Sequence, residues 1–438
     1  VQAFRASILH LLDDPTKNAE GAVAFHQDGL LLVEDGCVVG CGDYADLAPR
    51  LDGVEPEDLT GYLITPGFID THIHFPQVDV IAAHGKQLLD WLEQHTFPAE
   101  AAFADPGHAA ETAAFFLDEL LRNGTTTALV FGSVHKVSVD ALFAEAFERN
   151  MRLIAGKSLM DRNAPDGLTD TVESSRADME ALIADWHGKG RLGYAVTPRF
   201  AISCSDAQLA MAGELLEKHP GVWMQTHLSE NLHEIKETAK LFPDARDYLD
   251  VYDRFGLLRQ RSVFAHCVHL KGEAFQRLAA KGGAVAFCPT SNLFLGSGLF
   301  PLEEACSHGV KVGIGTDVGA GTTFSILHTL GEAYKVGQLR DDALDPFHAL
   351  YLATLGGARA LDLDDRIGNL APGKEADFVV LDLAATPLLA RRLAETRSLE
   401  NKLFALTVLG DDRVVARTYL AGVERWRKHE ILPQRGGS

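Results

Sequence analysis

Eight short apolar runs interleaved with helical patterns constrain this chain more than any other feature. They are "FIDTHIHF", "TTTALVFG", "MRLIAGKSL", "LGYAVTPRF", "VWMQTHLS", "SVFAHCVHL", "GAVAFCPTS" and "VKVGIGTDV". Most are largely apolar rather than alternating, as strands of a parallel sheet covered on both faces must be. The stretches between them read as helices. Asp105-Pro106 opens one, with a carboxylate at the N-cap and proline at the first helical position. Apolar residues then recur through Ala113, Phe116, Leu117, Leu120 and Leu121, and Gly124 supplies a stop. Ser138 and Ser205 read as caps of two later helices. Strand–helix alternation sustained over about three hundred residues predicts an α/β fold built as a (β/α)8 TIM-type barrel.

The two ends of the chain differ from that middle. Both carry short strands broken by turns, and Asp28-Gly29 and Asp35-Gly36 read as hairpin turns. The economical arrangement is a small composite β-sandwich domain made from residues 1–65 and 368–438, with the barrel spanning 66–367. A chain of 438 residues is long enough for a large catalytic domain plus a smaller one.

Composition narrows the partners. A net charge of −21 repels phosphate backbones and anionic lipid, so neither nucleic acid nor a membrane surface is expected as a partner, while a small neutral molecule is permitted. No apolar run reaches the ~18 residues of a membrane span. The opening "VQAFRASILHLLDD" lacks the pattern of a secretory signal, and the six cysteines (Cys37, Cys41, Cys204, Cys267, Cys288 and Cys306) are scattered. They read as reduced thiols of a cytoplasmic protein. Cys37 and Cys41 lie close together without a second ligand pair nearby and read as packing residues.

Barrel enzymes carry their chemistry at the C-terminal ends of the strands. In order, those ends offer His72 and His74, then Arg199, then His227 and Glu230, then His266 and His269, then Asp317. His72 and His74 are two apart on a strand and therefore share a face. Any one of these residues has an ordinary reading as a core group or a helix cap. Together, buried unpaired imidazoles and carboxylates cost several kcal/mol apiece, and a metal ion offsets that cost for all of them. Three imidazoles and a carboxylate with an open position suit zinc or another first-row divalent ion, with His72, His74, His227 and Asp317 as ligands. His269, three residues past His266, falls behind the site or is structural. The fourth run lacks the lysine that a second metal would need as a bridge, and Lys157 near the end of the third reads as a surface or loop residue. One metal ion per chain is the expectation.

The segments "PGFIDTHIHF", "THLSE", "AHCVHL", "CPTSN", "GIGTDV" and "IGNLAPGKEADFVVLD" resemble the amidohydrolase superfamily, aminohydrolase branch, across nearly the whole chain. The resemblance implies the barrel, the composite β domain, a single zinc and, as is common there, a homodimer. "DTHIHFPQ", "LLDWLEQHTFPAE", "PRF", "CPTSNLFLGSG" and "GTDVGAG" are similar to the members of that branch that deaminate guanine. That likeness implies His72, His74, His227 and Asp317 as metal ligands, Glu230 as proton shuttle, and His266 as partner of the bound water. It places Gln77, Arg199 and Phe200 around a purine base. "TFPAE" reads as a packed loop over the barrel mouth.

The chemistry implied is hydrolysis at C2 of guanine, giving xanthine and ammonia. Glu230 moves protons, while His266 and Asp317 orient the attacking water. Arginine offers only donors, so Arg199 would favour a carbonyl at position 6 over an amine. Gln77 matches the amide edge of the ring and Phe200 stacks on it. The alternatives are a related deaminase or chlorohydrolase acting on another purine, a pyrimidine or a triazine, and, further off, a non-catalytic scaffold. The other zinc deaminase design needs P-C-x-x-C, and Cys288 is followed by "PTSN" instead.

Overall fold

In the computed structural model, which describes residues 1–84 and 88–428, the chain opens with four strands. They are β1 (Gln2–Leu11), β2 (Val23–Glu34), β3 (Cys37–Asp43) and β4 (Glu57–Pro66). Asp35 and Gly36 join β2 to β3 with φ of 50° and 78°, the left-handed pair that a two-residue hairpin turn requires. Asp28-Gly29 is not a turn; it lies inside β2. There Ala6 pairs with Gly29 but Ile8 pairs with His26, so β2 carries one extra residue. A Cβ at position 29 would fall 2.8 Å from the Ile8 side chain. Glycine is present for close packing rather than for a reversal.

Nine strands then build the barrel: β5 (Phe68–His74), β6 (Thr125–Phe131), β7 (Arg152–Gly156), β8 (Ser158–Leu159), β9 (Leu192–Pro198), β10 (Trp223–Leu228), β11 (Ser262–His266), β12 (Ala284–Phe287) and β13 (Lys311–Ile314). All pairings are parallel, in the order β13-β12-β11-β10-β9-β7-β6-β5, with the short β8 on β9. The seam between β13 and β5 is bridged past the end of β13, where the Asp317 amide donates to His72 O (2.9 Å) and the His74 amide to Val318 O (2.8 Å). One end of the barrel is plugged. Ile69, Leu129, Ile154 and Trp223 pack with Ala358, Leu361 and Ile367, and the Trp223 indole donates to Leu361 O (2.8 Å). The opposite end, where the strands finish, is left for chemistry.

The helix Pro106–Arg122 starts as its sequence predicts, with the Asp105 side chain accepting the His108 amide, and it ends before Gly124 (φ 79°). Ser205 caps Asp206–Lys218 by accepting from the Gln208 amide. Ser138 is not a cap. The helix Lys136–Glu148 begins two residues earlier, and Ser138 sits in its first turn donating to His135 O (2.8 Å). Lys157 is not at the surface either. It is fully buried between β7 and β8 and ion-paired with Asp170.

The chain ends in β14 (Phe378–Asp382), β15 (Val415–Leu420) and β16 (Val423–Arg427). These join the first four strands in one sheet ordered β16-β15-β14-β4-β1-β2-β3. The sandwich expected from the two ends thus takes the form of a single hydrogen-bonded path, in which only β1–β4 is parallel. Residues 429–438 of the range assigned to it lie outside the described residues. All six cysteines are free. Cys41 Sγ lies 3.7 Å from His10 Nε2, and His10 Nδ1 faces the Leu370 amide (3.4 Å), so the ring proton points at the thiol. Among the described residues, no helix is long and apolar enough to cross a membrane.

Candidate active site

An irregularity in β5 aims the first two histidines. Asp70 pairs with Ala128 and Ile73 with Val130, so β5 holds one more residue than β6 over this stretch. Ile69 packs inside the barrel and Ile73 in the layer outside it, although residues four apart on a regular strand share a face. The bulge reverses the phase and turns His72 and His74 inward. Asp70 secures it by accepting from the Thr316 amide (3.0 Å), the Thr316 hydroxyl and the His72 amide (3.2 Å).

The four expected metal ligands meet. His72, His74, His227 and Asp317 offer donor atoms that all lie within 4.8 Å of one another. His74 Nε2 is 3.1 Å from His227 Nε2, and Asp317 Oδ1 is 3.1 Å from His72 Nε2 and 3.3 Å from His74 Nε2. Ligands of a tetrahedral zinc, at ~2.0–2.1 Å from the ion, stand roughly 3.3–3.4 Å apart. The His227 ring donates Nδ1–H to Arg199 O (2.6 Å), which leaves Nε2 as a lone pair facing the cluster. His72 Nε2 is buried without a hydrogen-bond partner, since its approach to Asp317 lacks hydrogen-bond geometry. Burial holds the His227 imidazolium well below its usual range, takes His74 down to about 4 and lowers His72 against the pull of Asp317. Burial raises Asp317, but His72 and His74 outweigh it and keep the carboxyl well below its ordinary value. Three neutral imidazoles around a carboxylate, one of them with an orphaned nitrogen, fit a divalent cation.

Beside this cluster lie Glu230 and His266. Ser229 (φ 50°), His266 (φ 71°) and Asp317 (φ 53°) all hold left-handed backbone at strand ends, the kind of local strain that aims side chains at functional sites. His266 Nδ1 bonds Asn292 Oδ1 (2.8 Å), and its Nε2 faces Glu230 Oε2 (3.5 Å) and Asp317 Oδ2 (3.7 Å) without a hydrogen-bond partner. Glu230 Oε1 accepts from the Ser297 hydroxyl (3.1 Å). Burial, reinforced by Asp317, pushes the Glu230 carboxyl up to about 8. Its backbone amide is held by Glu234 Oε2 (2.9 Å), and the Tyr248 hydroxyl donates to the other Glu234 oxygen (2.6 Å). His269 sits behind, with its ring bonded to the Ser297 carbonyl (2.9 Å).

Gln77, Arg199 and Phe200 line the same pocket as His74, His227, Glu230, His266 and Asp317. Gln77 Nε2 donates to Glu100 Oε1 (3.0 Å), and its Oε1 accepts from the Gly319 amide (3.3 Å). Arg199 Nη1 meets both Glu100 oxygens (2.8 and 2.6 Å). Leu88, Trp91, Leu92 and Ala320 complete an apolar wall with Phe200. "TFPAE", read as a loop, is helical: Thr96 closes a π-helical turn (Leu92–Thr96) and the rest lies in the helix Phe97–Ala101. Sequence reasoning overlooked Glu100, Glu234, Asn292, Ser297 and that apolar wall. Glu100 had one visible sign, a carboxylate following the uncharged "TFPA"; the others lie where nothing in their spacing sets them apart.

Residues 63–425 match the Amidohydrolase family. The chain is 53% identical to the guanine deaminase of Escherichia coli (strain K12) over 426 residues, 96% of this chain and 97% of that protein. The structure of an E. coli guanine deaminase superposes with a TM-score of 0.96 at 52% identity, covering 98% of this chain and all of that one. A guanine deaminase from C. acetobutylicum with guanine bound in its active site gives 0.89 at 29% identity, covering 97% of this chain and 100% of that one. A zinc-bound adenosine deaminase from Xanthomonas campestris gives 0.83 at 25% identity, covering 99% and 94%.

Proposed function

This chain belongs to the amidohydrolase family, and on that premise we propose that its barrel mouth hydrolyses guanine to xanthine and ammonia with a single zinc ion. The reading is supported most directly by the convergence of three neutral imidazoles and one carboxylate beside a carboxyl group poised to carry protons. His72, His74, His227 and Asp317 would hold the ion, which when bound supplies a water whose pKa drops from ~15.7 to roughly 7.

Every other role falls to the chain. Water adds at C2, the carbon bearing the exocyclic amine, and the C–N bond to that amine breaks. Glu230 keeps Oε2 for the pocket because Ser297 occupies Oε1, so it can deliver a proton to the ring nitrogen, take the second proton from the oxygen added at C2, and pass it to the departing amine. His266, tied back by Asn292, presents Nε2 to the incoming oxygen. Arg199 meets the carbonyl at position 6 with donors alone, and Gln77 keeps one free hydrogen and one free lone pair for the amide edge of the ring. Phe200 covers the face of the base.

Homodimer formation and residence in the cytoplasm belong to the same reading, supported by the family resemblance and by six unpaired thiols. The purified chain should release ammonia from guanine and not from adenine, carry close to one zinc per chain, and lose activity and melt earlier after chelation. Equal rates on adenine, or turnover of cytosine or a triazine in place of guanine, would move the assignment to another branch of the family.

A further inference from the structure

Glu100 touches nothing that reacts, yet its side chain is sealed from solvent. A buried carboxylate needs compensating charge and donors. It finds them in two residues of the pocket wall, Arg199 Nη1 (2.8 and 2.6 Å) and Gln77 Nε2 (3.0 Å). Glu100 itself stands behind that wall.

Two consequences follow from the chemistry of the groups. Among the described residues, Arg199 reaches Glu100 through Nη1 alone, which leaves Nε and Nη2 as donors toward the pocket. The amide of Gln77 is also forced into one orientation. A carboxylate only accepts and the Gly319 amide only donates, so the NH2 end must face Glu100 and the oxygen end Gly319. Without Glu100 the guanidinium is free to swing, and the Gln77 amide is held by the single bond from Gly319.

We propose that Glu100 is a positioning residue for substrate selectivity: it locks Arg199 and Gln77 into the donor–acceptor pattern that fits a purine with a carbonyl at position 6. This rests on the reading of the site given above, in which Arg199 meets that carbonyl.

The test compares guanine with 2-aminopurine, which carries the same amine at C2 and only hydrogen at position 6. In Glu100→Gln, kcat/KM for guanine should fall at least about tenfold, the scale of one charge-assisted hydrogen bond. For 2-aminopurine it should change less than about threefold, because the lost interaction is one that substrate never makes. Parallel loss on both substrates, or no loss on either, overturns the proposal. Arg199→Met separates it from its premise. If that variant leaves the guanine to 2-aminopurine ratio intact, the placement of Arg199 at the carbonyl is wrong. If it collapses the ratio while Glu100→Gln does not, the placement stands and the role of Glu100 falls. Should the glutamine variant not fold, Glu100→Asp carries the same ratio test with the charge retained and the reach shortened. A failure of both to fold marks Glu100 as structural and ends the proposal.

Discussion

Glu230 and His266 divide their polar atoms in the same way, one to hold position and one for the pocket. Ser297 takes one Glu230 oxygen and Asn292 takes one His266 nitrogen. Burial pushes the Glu230 carboxyl up to about 8, toward the range in which a carboxyl can both take up and release a proton near neutral pH. Replacing Glu230 with glutamine preserves size and the bond from Ser297 but removes proton transfer. Elemental analysis of Glu230→Gln should find the wild-type metal content, and ammonia release should drop at least about 100-fold. Near-normal turnover would remove Glu230 from the reaction. His269, whose role the sequence leaves open, bonds the Ser297 carbonyl through its ring.

Elements place these residues by small departures from regularity. The extra residue in β5 decides which way His72 and His74 face, and backbone bonds from Asp317 and His74 bridge the seam at the level of the His/Asp cluster. The glycines after β13 permit close approach there. A Cβ on Gly319 would stand 2.4 Å from the Gln77 carbonyl oxygen. Helix starts are separable by the same reading of local bonds. Ser205 accepts the Gln208 amide at a helix terminus, so Ser205→Ala should lower unfolding free energy by about 1 kcal/mol in a denaturant titration. Ser138 donates to the carbonyl of His135, the residue before its helix, and caps no amide, so Ser138→Ala should cost clearly less in the same titration. A reversal of that order would return the cap to Ser138.

At the scale of the molecule, the sheet built from the two ends is fastened to the barrel by buried and partly buried ion pairs. Arg191, just before β9, pairs with Asp377 and with Glu375 (2.7 Å), and Arg152 on β7 also pairs with Glu375. Burial raises the Glu375 carboxyl, but Arg152 and Arg191 outweigh it and bring it below its usual 4.5. The unfolded chain therefore binds more protons in the window just below that value, and this part of the stability is present at higher pH and lost as pH falls through the folded value. Arg191→Leu leaves two carboxylates short of a partner and should cost about 3–5 kcal/mol at neutral pH. Melting curves of wild type and variant should converge as the pH drops below 4.5. A gap that stays constant into acid would mean that these charges do not fasten the sheet.

The barrel was legible because each strand is an apolar run bounded by turn or cap residues, and period and length are local properties of a chain. Asp105-Pro106 and Asp35-Gly36 could be read for the same reason, since a cap or a tight turn is satisfied within four residues. The convergence of His72, His74, His227 and Asp317 was legible because barrel strands all end on one face, so polar residues at their ends must come together. Gly29 and Lys157 misled because their surroundings come from other segments, Ile8 across the sheet and Asp170 beyond the strand, and Ser138 misled because its helix starts two residues early. The sequence by itself determined which strands form and which residue types gather at their ends. Only the tertiary structure decided how those residues are held, through Glu100 against Arg199 and Gln77, Asn292 against His266 and Ser297 against Glu230. Those partners lie 23 to 99 residues apart in the chain, and no local pattern encodes a hydrogen bond across that distance.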